Sequence, residues 1–230
     1  MKILIAAPLR QDTDVFAAYL KSLDELIIPA GVHVDRFFVV NDCPECIPLI
    51  KGEYKVINSG DEYTKTETEH IWTLYNLAKM SILRNACVER ALDYDYMFSV
   101  DTDLILHPRT LETLLNAKKD IVSEVFYTNN WCNAWMYDSY SPKLPEWERP
   151  GLYKVGMTGA CTLIDTKVFK AGVDYSVIPN LTIKGEDRHF CIRAACAGFE
   201  LWLDTHYPAE HLYTRAEFEK WRSKNENTLS

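Results

Sequence analysis

Short apolar runs alternate along this chain with longer stretches in which apolar residues recur at helical spacing. The short runs predict strands over residues 2–7, 36–40, 54–57, 96–100, 120–127, 161–164 and 200–203. The helical spacing predicts helices over residues 15–26, 71–92 and 108–117, and a further helix that opens near residue 186. Strands that alternate with helices form parallel sheets with right-handed crossovers. We therefore expect an α/β fold with a mostly parallel central sheet flanked by helices.

The apolar run 96–100 is followed directly by two carboxylates, Asp101 and Asp103. Such a run is typical of a strand buried on both faces of a parallel sheet. If the backbone stays extended beyond it, residues two apart point the same way, and both carboxylates would face one ligand. Paired carboxylates at the end of a central parallel strand suit a hard divalent cation shared with phosphate. The alternative is that the two acids only end a strand and open a turn.

Polar residues also follow the other early strands. In an open α/β sheet, ligands bind beyond the carboxyl ends of the strands. Those ends carry the 8–10 segment, Asn41 with Asp42, and the 59–61 segment, so we expect a nucleotide-binding edge there. The chain contains neither GxGxxG nor GxxxxGK[ST], and the dinucleotide-binding and P-loop classes lose their main support.

The long helix predicted over 71–92 carries two cations and an amide of interest. Its apolar stripe comprises Ile71, Leu74, Ala78, Ile82 and Leu92. Asn85 falls on or near that stripe, where an amide needs a hydrogen-bond partner. Lys79 and Arg84 can reach a phosphate near Asp101; the alternative is that both are solvated helix charges.

The second half of the chain offers a candidate base. Glu186 and Asp187 open a helix, where the helix dipole favours negative charge. Helical spacing puts Asp187 in line with the apolar positions 190, 191 and 194, so its carboxylate points inward. A partly buried carboxylate can have a raised pKa and act as a general base. Plain stabilisation of the helix start is the alternative.

Three further features complete the candidate chemistry. Gly159 belongs to a run of small residues before a strand, where a ligand can approach the backbone closely. His211 follows the last predicted strand, where a loop can fold back toward the carboxylates; imidazole, carboxylate and diphosphate oxygens suit manganese. The aromatic-rich segment 128–150 either binds an acceptor or fixes an irregular loop to the body.

The composition of the chain narrows the possible classes of protein. At 230 residues the chain is long enough for one domain with a substantial core. A formal net charge of −8 argues against nucleic-acid binding. The start lacks a signal-peptide pattern and no stretch approaches a membrane span, so we expect a soluble, cytoplasmic protein. Seven cysteines without a secretory signal argue against a disulfide framework.

In chain order, these features resemble a GT-A-fold, family-2-like glycosyltransferase that uses nucleotide sugars. The matching positions are the first strand with Pro8, Asn41-Asp42, Arg84-Asn85, Asp101-Thr102-Asp103, Gly159-Ala160, Gly185-Glu186-Asp187 and His211. The resemblance implies a single GT-A-type domain over 1–230. It would have a Rossmann-like nucleotide-binding half to about residue 105, an acceptor and catalytic half over about 106–215, and a tail over 216–230.

The resemblance also implies roles for these residues. Asp103 and His211, with Asp101 beside them, would hold Mn²⁺ or Mg²⁺ against the diphosphate of a UDP-sugar, or secondly a GDP-sugar. Asp101 would also lie near the ribose. Asp187, with Glu186 beside it, would deprotonate the acceptor in an inverting reaction, although retaining enzymes share this fold. The expected donor-binding residues are Pro8, Arg10, Asn41, Asp42, Lys79, Arg84, Asp101 and Gly159. The acceptor, whether a glycan, a lipid-linked sugar or a small molecule, is left open.

Other classes remain as alternatives. A haloacid-dehalogenase-like phosphatase also has a strand followed by Asp-x-Asp, but on its first strand and with Thr or Val where this chain has Ile105. A nucleotidyltransferase would have a first loop rich in Gly, Arg and Lys, unlike the 8–10 segment. A non-catalytic nucleotide-sugar-binding protein would keep the pocket without needing the acidic pair at 186–187.

Overall fold

The computed structural model describes residues 1–60, 73–128, 131–135, 149–181 and 183–226. In these ranges the strands are β1 Lys2–Leu9, β2 His33–Val40, β3 Glu53–Val56, β4 Tyr96–Ser99, β5 Leu104–Ile105, β6 Ile121–Thr128, β7 Trp131–Cys132, β8 Ala134–Trp135, β9 Leu152–Val155, β10 Met157–Thr158, β11 Thr162–Asp165 and β12 Leu201–His211. The α-helices are α1 Thr13–Asp24, α2 Leu74–Ala91, α3 Thr110–Asn116, α4 Thr166–Lys170, α5 Glu186–Cys196 and α6 Arg215–Glu226; a 3₁₀ helix spans Pro44–Leu49.

The central sheet has the strand order β3-β2-β1-β4-β11-β6-β12-β5. The pairs β1–β2, β1–β4, β2–β3 and β6–β12 are parallel. Strand β11 is antiparallel to both of its neighbours, β4 and β6. Because it is antiparallel to β6, β11 starts at the edge of the sheet where β6 ends. The predicted α/β class with a mostly parallel sheet is confirmed.

Strand β1 continues past the position where the sequence suggested a break. Pro8 lies within it, opposite Val39 of β2. Strand β4 pairs with β1 only as far as Ala6, so Pro8 lies where the ladder with β4 has already ended. A missing backbone N–H is tolerated at such a position.

Helices α2 and α5 cover the same face of the sheet, and this decides where the candidate site lies. Leu83 of α2 and Phe190 of α5 share one hydrophobic cluster with Leu4 of β1. The adjacent β1 residue Ile3 points to the other face, where it packs in the cluster that contains Phe16 of α1. This alternation along β1 is the two-residue period of a strand buried on both faces.

The apolar stripe expected to face the core on α2 is on the wrong side of the helix. Leu74 is 80% exposed and Ile82 is 59% exposed. The buried face instead contains Leu77, Arg84 and Val88. A buried arginine lowers the apolar character of the true inward face, so hydrophobic periodicity selected the other one.

Strand β12 is longer than the sequence suggested. It runs to His211, with a register shift between Asp204 and Ala209 where it pairs with β6. Polar residues in this bulge interrupt the apolar pattern that would otherwise mark a strand. His211 is therefore the last residue of a strand and not part of a loop after it.

Most of the C-terminal tail is helix α6, and its Phe218 is buried against Val15 and Leu212. Among the helices of the described ranges, none is both long and apolar enough to cross a membrane.

Candidate functional site

Arg84 lies at the centre of a buried polar cluster on the α2–α5 face. The residue is 5% exposed. Its Nη2 lies 2.7 Å from Asp101 Oδ1, and its Nε donates to Glu186 Oε1 at 3.0 Å. Its Nη1 donates to Ser99 Oγ at 3.1 Å. Each nitrogen of the guanidinium therefore contacts a protein acceptor, and Arg84 is neither a solvated helix charge nor directed at open solvent.

The two carboxylates after β4 point to different partners because the backbone turns between them. The 101–103 segment follows the end of β4 at Ser99, and Leu104 N donates to Asp101 O at 3.1 Å to close the turn. The extended backbone that would aim both side chains at one ligand is therefore absent from this segment. Asp101 contacts Arg84, whereas Asp103 approaches His211.

Strand pairing brings His211 to Asp103. Leu104 of β5 pairs with His211 at the end of β12, and Leu212 N donates to Asp103 O at 2.8 Å. Asp103 Oδ2 then lies 3.4 Å from His211 Nε2. The other ring nitrogen, Nδ1, lies 2.8 Å from Thr128 Oγ1, which fixes the orientation of the imidazole. Burial lowers the pKa of His211, but the nearby carboxylates of Asp103, Asp101 and Glu217 together outweigh it, and the net shift is upward.

These two side chains offer one oxygen and one nitrogen to a cation. Within the described part of the chain, no group of three or more His, Cys, Asp or Glu residues is placed to hold a metal ion. A pair of this kind fits a metal whose other ligands come from substrate phosphates, as is usual for Mg²⁺. Asp103 and His211 therefore fit a cation that a diphosphate also binds, and they are too few to enclose a cation by themselves.

Asp187 is partly buried at the start of α5, next to Glu186. Burial raises the pKa of Asp187 to about 7, and the neighbouring Glu186 carboxylate adds to this, while Arg84 and Arg188 oppose it. Its Oδ1 accepts a hydrogen bond from Arg188 N at 2.8 Å. A carboxylate with a pKa near neutrality can accept a proton at physiological pH.

Two glycines make room for the Asp187 carboxylate. A Cβ added to Gly159 would lie 2.8 Å from Asp187 Oδ2, and one added to Gly185 would lie 2.6 Å from Oδ1. Gly185 also has φ of +100°, a conformation that side-chain-bearing residues rarely adopt. Gly159 was expected to allow a ligand to approach, and the structure places the candidate base against it. Arg84, Thr158, Thr162, Tyr175 and Asp187 are among the residues that line a small cavity here.

Asn41 and Asp42 organise the loop after β3. Asn41 is buried and its Nδ2 donates to Ile57 O at 2.8 Å. Asp42 accepts hydrogen bonds from Ser59 Oγ and from the backbone N–H of Gly60. The hydrogen bond from Ser59 is the main cause that lowers the pKa of Asp42, and the positive charge of Arg10 lowers it further. Asn41, Asp42 and Arg10 are therefore neighbours at the carboxyl edge, as the sequence predicted.

Lys79 is not part of the Arg84 cluster. Five residues along a helix correspond to about 140° around its axis, so the two cations leave α2 in different directions. Lys79 Nζ lies 5.6 Å from the centre of the Tyr75 ring, on the exposed N-terminal part of α2.

Sequence reasoning missed the residues that support Arg84. Ser99 accepts one of its hydrogen bonds, and the Tyr175 ring centre lies 5.9 Å from its Cζ. The signal that pointed toward this region was Asn85. Its amide accepts from Tyr175 N at 2.9 Å and donates to Ser176 Oγ at 3.1 Å, so the predicted need for a partner is confirmed.

The aromatic segment expected to contact an acceptor lies largely outside the described residues. Of the part that is described, Trp131 is 74% exposed on β7. Trp135 on β8 lies under the guanidinium of Arg188, with 4.3 Å between the Arg188 Cζ and the ring centre. Arg188 directly follows Asp187, so an indole ring lies close to the candidate base.

Comparisons with known proteins indicate the family and the fold of the chain. A model of the family described as "Glycosyltransferase family 25, N-terminal domain" matches residues 50–184, which is more than half of the chain. No curated protein sequence matches the chain.

Solved structures of Staphylococcus aureus TarS have a similar fold. TarS residues 1–349 share 14% sequence identity with a TM-score of 0.58, and the match covers 91% of this chain and 60% of that one. The same TarS fragment in complex with UDP shares 15% identity with a TM-score of 0.57 and the same coverage. This chain thus spans about 60% of the length of these relatives.

The family model confirms the resemblance to a glycosyltransferase, with family 25 as the matching family. The TarS likeness shows the fold, and the family model covers β3 to the loop before α5, including Arg84, Asp101 and Asp103. The chain belongs to the family of glycosyltransferase family 25 N-terminal domains and has a GT-A-type fold.

Proposed function

We propose that this protein transfers a sugar from a nucleoside-diphosphate sugar to an acceptor hydroxyl. The observation that carries the proposal is the joint contact of Arg84 with Asp101 and Glu186. Through it, the Asp101–Asp103 segment and the Glu186–Asp187 pair meet at the carboxyl edge of one sheet, where α/β folds bind their ligands. Membership of a glycosyltransferase family supports this class of reaction.

A UDP-sugar is the favoured donor and a GDP-sugar the second choice. Support for UDP comes from TarS, whose fold is similar and which has been solved in complex with UDP. We propose that Asn41 and Asp42 form the nucleoside side of the pocket and that Asp101 lies near the ribose. Pro8, Arg10 and Gly159 complete the proposed donor-binding set; Lys79, which leaves α2 in a different direction from Arg84, is not included.

Asp103 and His211 would hold Mn²⁺ or Mg²⁺ beside the diphosphate, with Asp101 next to them. Bound there, the ion would offset the negative charge of the departing nucleoside diphosphate. The contribution of the protein is to keep Asp103 and His211 in register through the β5–β12 pairing and the Thr128 contact.

Asp187 would act as the base of an inverting reaction. The acceptor oxygen forms a bond to the anomeric carbon of the donor while the bond from that carbon to the diphosphate breaks. The electron pair of the broken bond leaves with the nucleoside diphosphate, and the hydroxyl proton moves to the Asp187 carboxylate. Positioning of donor and acceptor in one pocket supplies the remainder of the rate enhancement.

The test is thermal unfolding with UDP, GDP, CMP and dTDP, each with Mn²⁺ and with EDTA. A ligand at 100 times its dissociation constant stabilises the fold by about 2.7 kcal/mol. For a chain of this size, that raises Tm by roughly 5–10 °C. We expect a metal-dependent rise in Tm with UDP. We also expect UDP to be released when the protein is given UDP-glucose, UDP-galactose or UDP-N-acetylglucosamine. No rise with any nucleotide contradicts the proposed function.

A further inference from the structure

Arg84 connects three segments that are distant along the chain. Its nitrogens contact Ser99 at the end of β4, Asp101 in the following turn and Glu186 at the start of α5, at 3.1, 2.7 and 3.0 Å. The adjacent Asn85 fixes the chain at Tyr175, ahead of α5, through its own two hydrogen bonds. One turn of α2 therefore holds both the donor-side segment and the chain that leads into α5.

Glu186 depends on Arg84 for its charge compensation. It is 3% exposed, and its Oε1 is the oxygen that Arg84 contacts. Its Oε2 is buried with no hydrogen-bond partner among the residues that the structure describes. A buried carboxylate in this state is held by its one ion pair, because leaving it unpaired is costly. The position of Glu186 is thus set by the guanidinium of Arg84.

Asp187 has little freedom to move independently of Glu186. It is the next residue, and its carboxylate lies against the backbone of Gly159 and Gly185. A shift of Glu186 at the first turn of α5 would therefore also displace the Asp187 carboxylate from its place beside these two glycines.

We propose that Arg84 is a positioning residue that fixes Glu186 and, through it, the orientation of Asp187, while also holding Asp101 on the donor side. The inference rests on the proposed function. It assigns Arg84 to the alignment of the two halves of the site, in place of direct binding to the donor diphosphate. Because one side chain contacts both halves, binding on the donor side is coupled to the geometry at the base.

The first test is Arg84→Lys, which keeps the positive charge but replaces the planar guanidinium, whose separate nitrogens reach the three acceptors, with one compact ammonium. We expect the affinity for UDP to fall only severalfold, because in this proposal the side chain supports Asp101 but does not itself contact the donor. We expect kcat for UDP release to fall by about 100-fold, as displacements near 1 Å have that effect. Arg90→Lys, on the same helix but paired with Glu53, is the matched control and should leave both quantities unchanged. Weaker UDP binding with unchanged kcat contradicts the proposal.

The second test is a double-mutant cycle with Glu186→Gln. If Arg84 acts through Glu186, the double variant loses no more kcat than Arg84→Lys alone, within about threefold. Losses that multiply would show two independent roles and contradict the proposal.

A third measurement does not depend on activity. The charged groups that face Asp187 are Glu186 and Arg188 on its own helix and Arg84 from α2. The Asp187 carboxyl can be titrated by ¹³C NMR in the wild-type protein, in Glu186→Gln and in Arg84→Lys. We expect the midpoint to shift downward in Glu186→Gln, because the Glu186 charge that raises the pKa of Asp187 is removed. We also expect the midpoint to change in Arg84→Lys, because Glu186 loses the contact that holds it beside Asp187. Unchanged midpoints in both variants contradict the coupling. If the midpoints shift in the variants but the wild-type protein binds no nucleotide, only the proposed function is contradicted.

Discussion

Asp103 Oδ2 lies 3.4 Å from His211 Nε2, although about half of the chain separates the two residues. The contact follows from the pairing of the two-residue strand β5 with the last residues of β12. We expect Asp103→Asn and His211→Ala each to remove the Mn²⁺-dependent part of the UDP stabilisation. The reason is that Asp103→Asn removes the negative charge of one of the two proposed ligands, and His211→Ala removes the other ligand altogether.

The matched control for that experiment is Asp93→Asn, a surface acid whose side chain is 84% exposed and pairs with Arg90. It should keep the full Mn²⁺-dependent rise in Tm. Full retention of that rise in Asp103→Asn would remove this residue from the proposed metal site.

Asp187→Asn should bind UDP as the wild-type protein does and lose transfer activity. General bases contribute on the order of 10²–10⁴-fold to rate, so a loss of kcat in that range is expected. The measurement pairs UDP affinity by calorimetry with UDP release. Turnover close to that of the wild-type protein would point to another base or to a retaining mechanism.

The pH dependence of kcat offers an independent check on the base. Asp187 must be deprotonated to accept a proton, and burial raises its pKa to about 7. Activity should therefore rise with pH through about 7 and reach a plateau above it. A profile that is flat from pH 5 to 8 contradicts the assignment.

Gly159→Ala should reduce activity more than stability. The added Cβ would lie 2.8 Å from Asp187 Oδ2 and would push the carboxylate from its position. We expect kcat to fall at least tenfold, since small displacements of a catalytic group are costly. Gly172→Ala is the contrasting control: it meets nothing within 4 Å but has φ of +88°, so it should lower Tm and leave kcat unchanged. Equal activity in the two variants would contradict the role of Gly159.

Glu124 and Asp204 form a buried acidic pair outside the proposed site, opposite each other on β6 and β12. Burial raises the pKa of Glu124 from 4.5 to about 9, and the Asp204 carboxylate adds to the rise. Because the folded state retains this proton longer, its contribution to stability is full below about pH 4.5 and is lost as pH rises toward 9.

The free energy of unfolding should accordingly fall with pH by on the order of 1 kcal/mol per unit within that window. Glu124→Gln, which resembles the protonated acid, should flatten this dependence when unfolding is followed in urea between pH 5 and 9. Glu200→Gln, a surface acid beside Lys154, is the control and should leave the slope unchanged. The same slope in Glu124→Gln and the wild-type protein would contradict the assignment.

Helix α2 shows where sequence reasoning succeeded and where it failed. Its existence followed from spacing, and the need of Asn85 for a partner followed from the cost of a buried amide. The sequence did not predict which face of the helix points inward. Leu74, Ala78 and Ile82 form a better apolar stripe than the buried face, because the buried face includes Arg84. The acceptors that Arg84 contacts lie outside α2, and no local sequence pattern reveals them.

The carboxylate segment shows the same division. The sequence determined that Asp101 and Asp103 end a buried strand at the carboxyl edge of a mostly parallel sheet, because apolar runs and strand–helix alternation are local properties. Only the tertiary structure decided that a turn separates the two side chains, with Asp101 at Arg84 and Asp103 at His211. These pairings depend on the strand order, on the bulge in β12 and on the contact between α2 and α5, which form between segments distant in sequence.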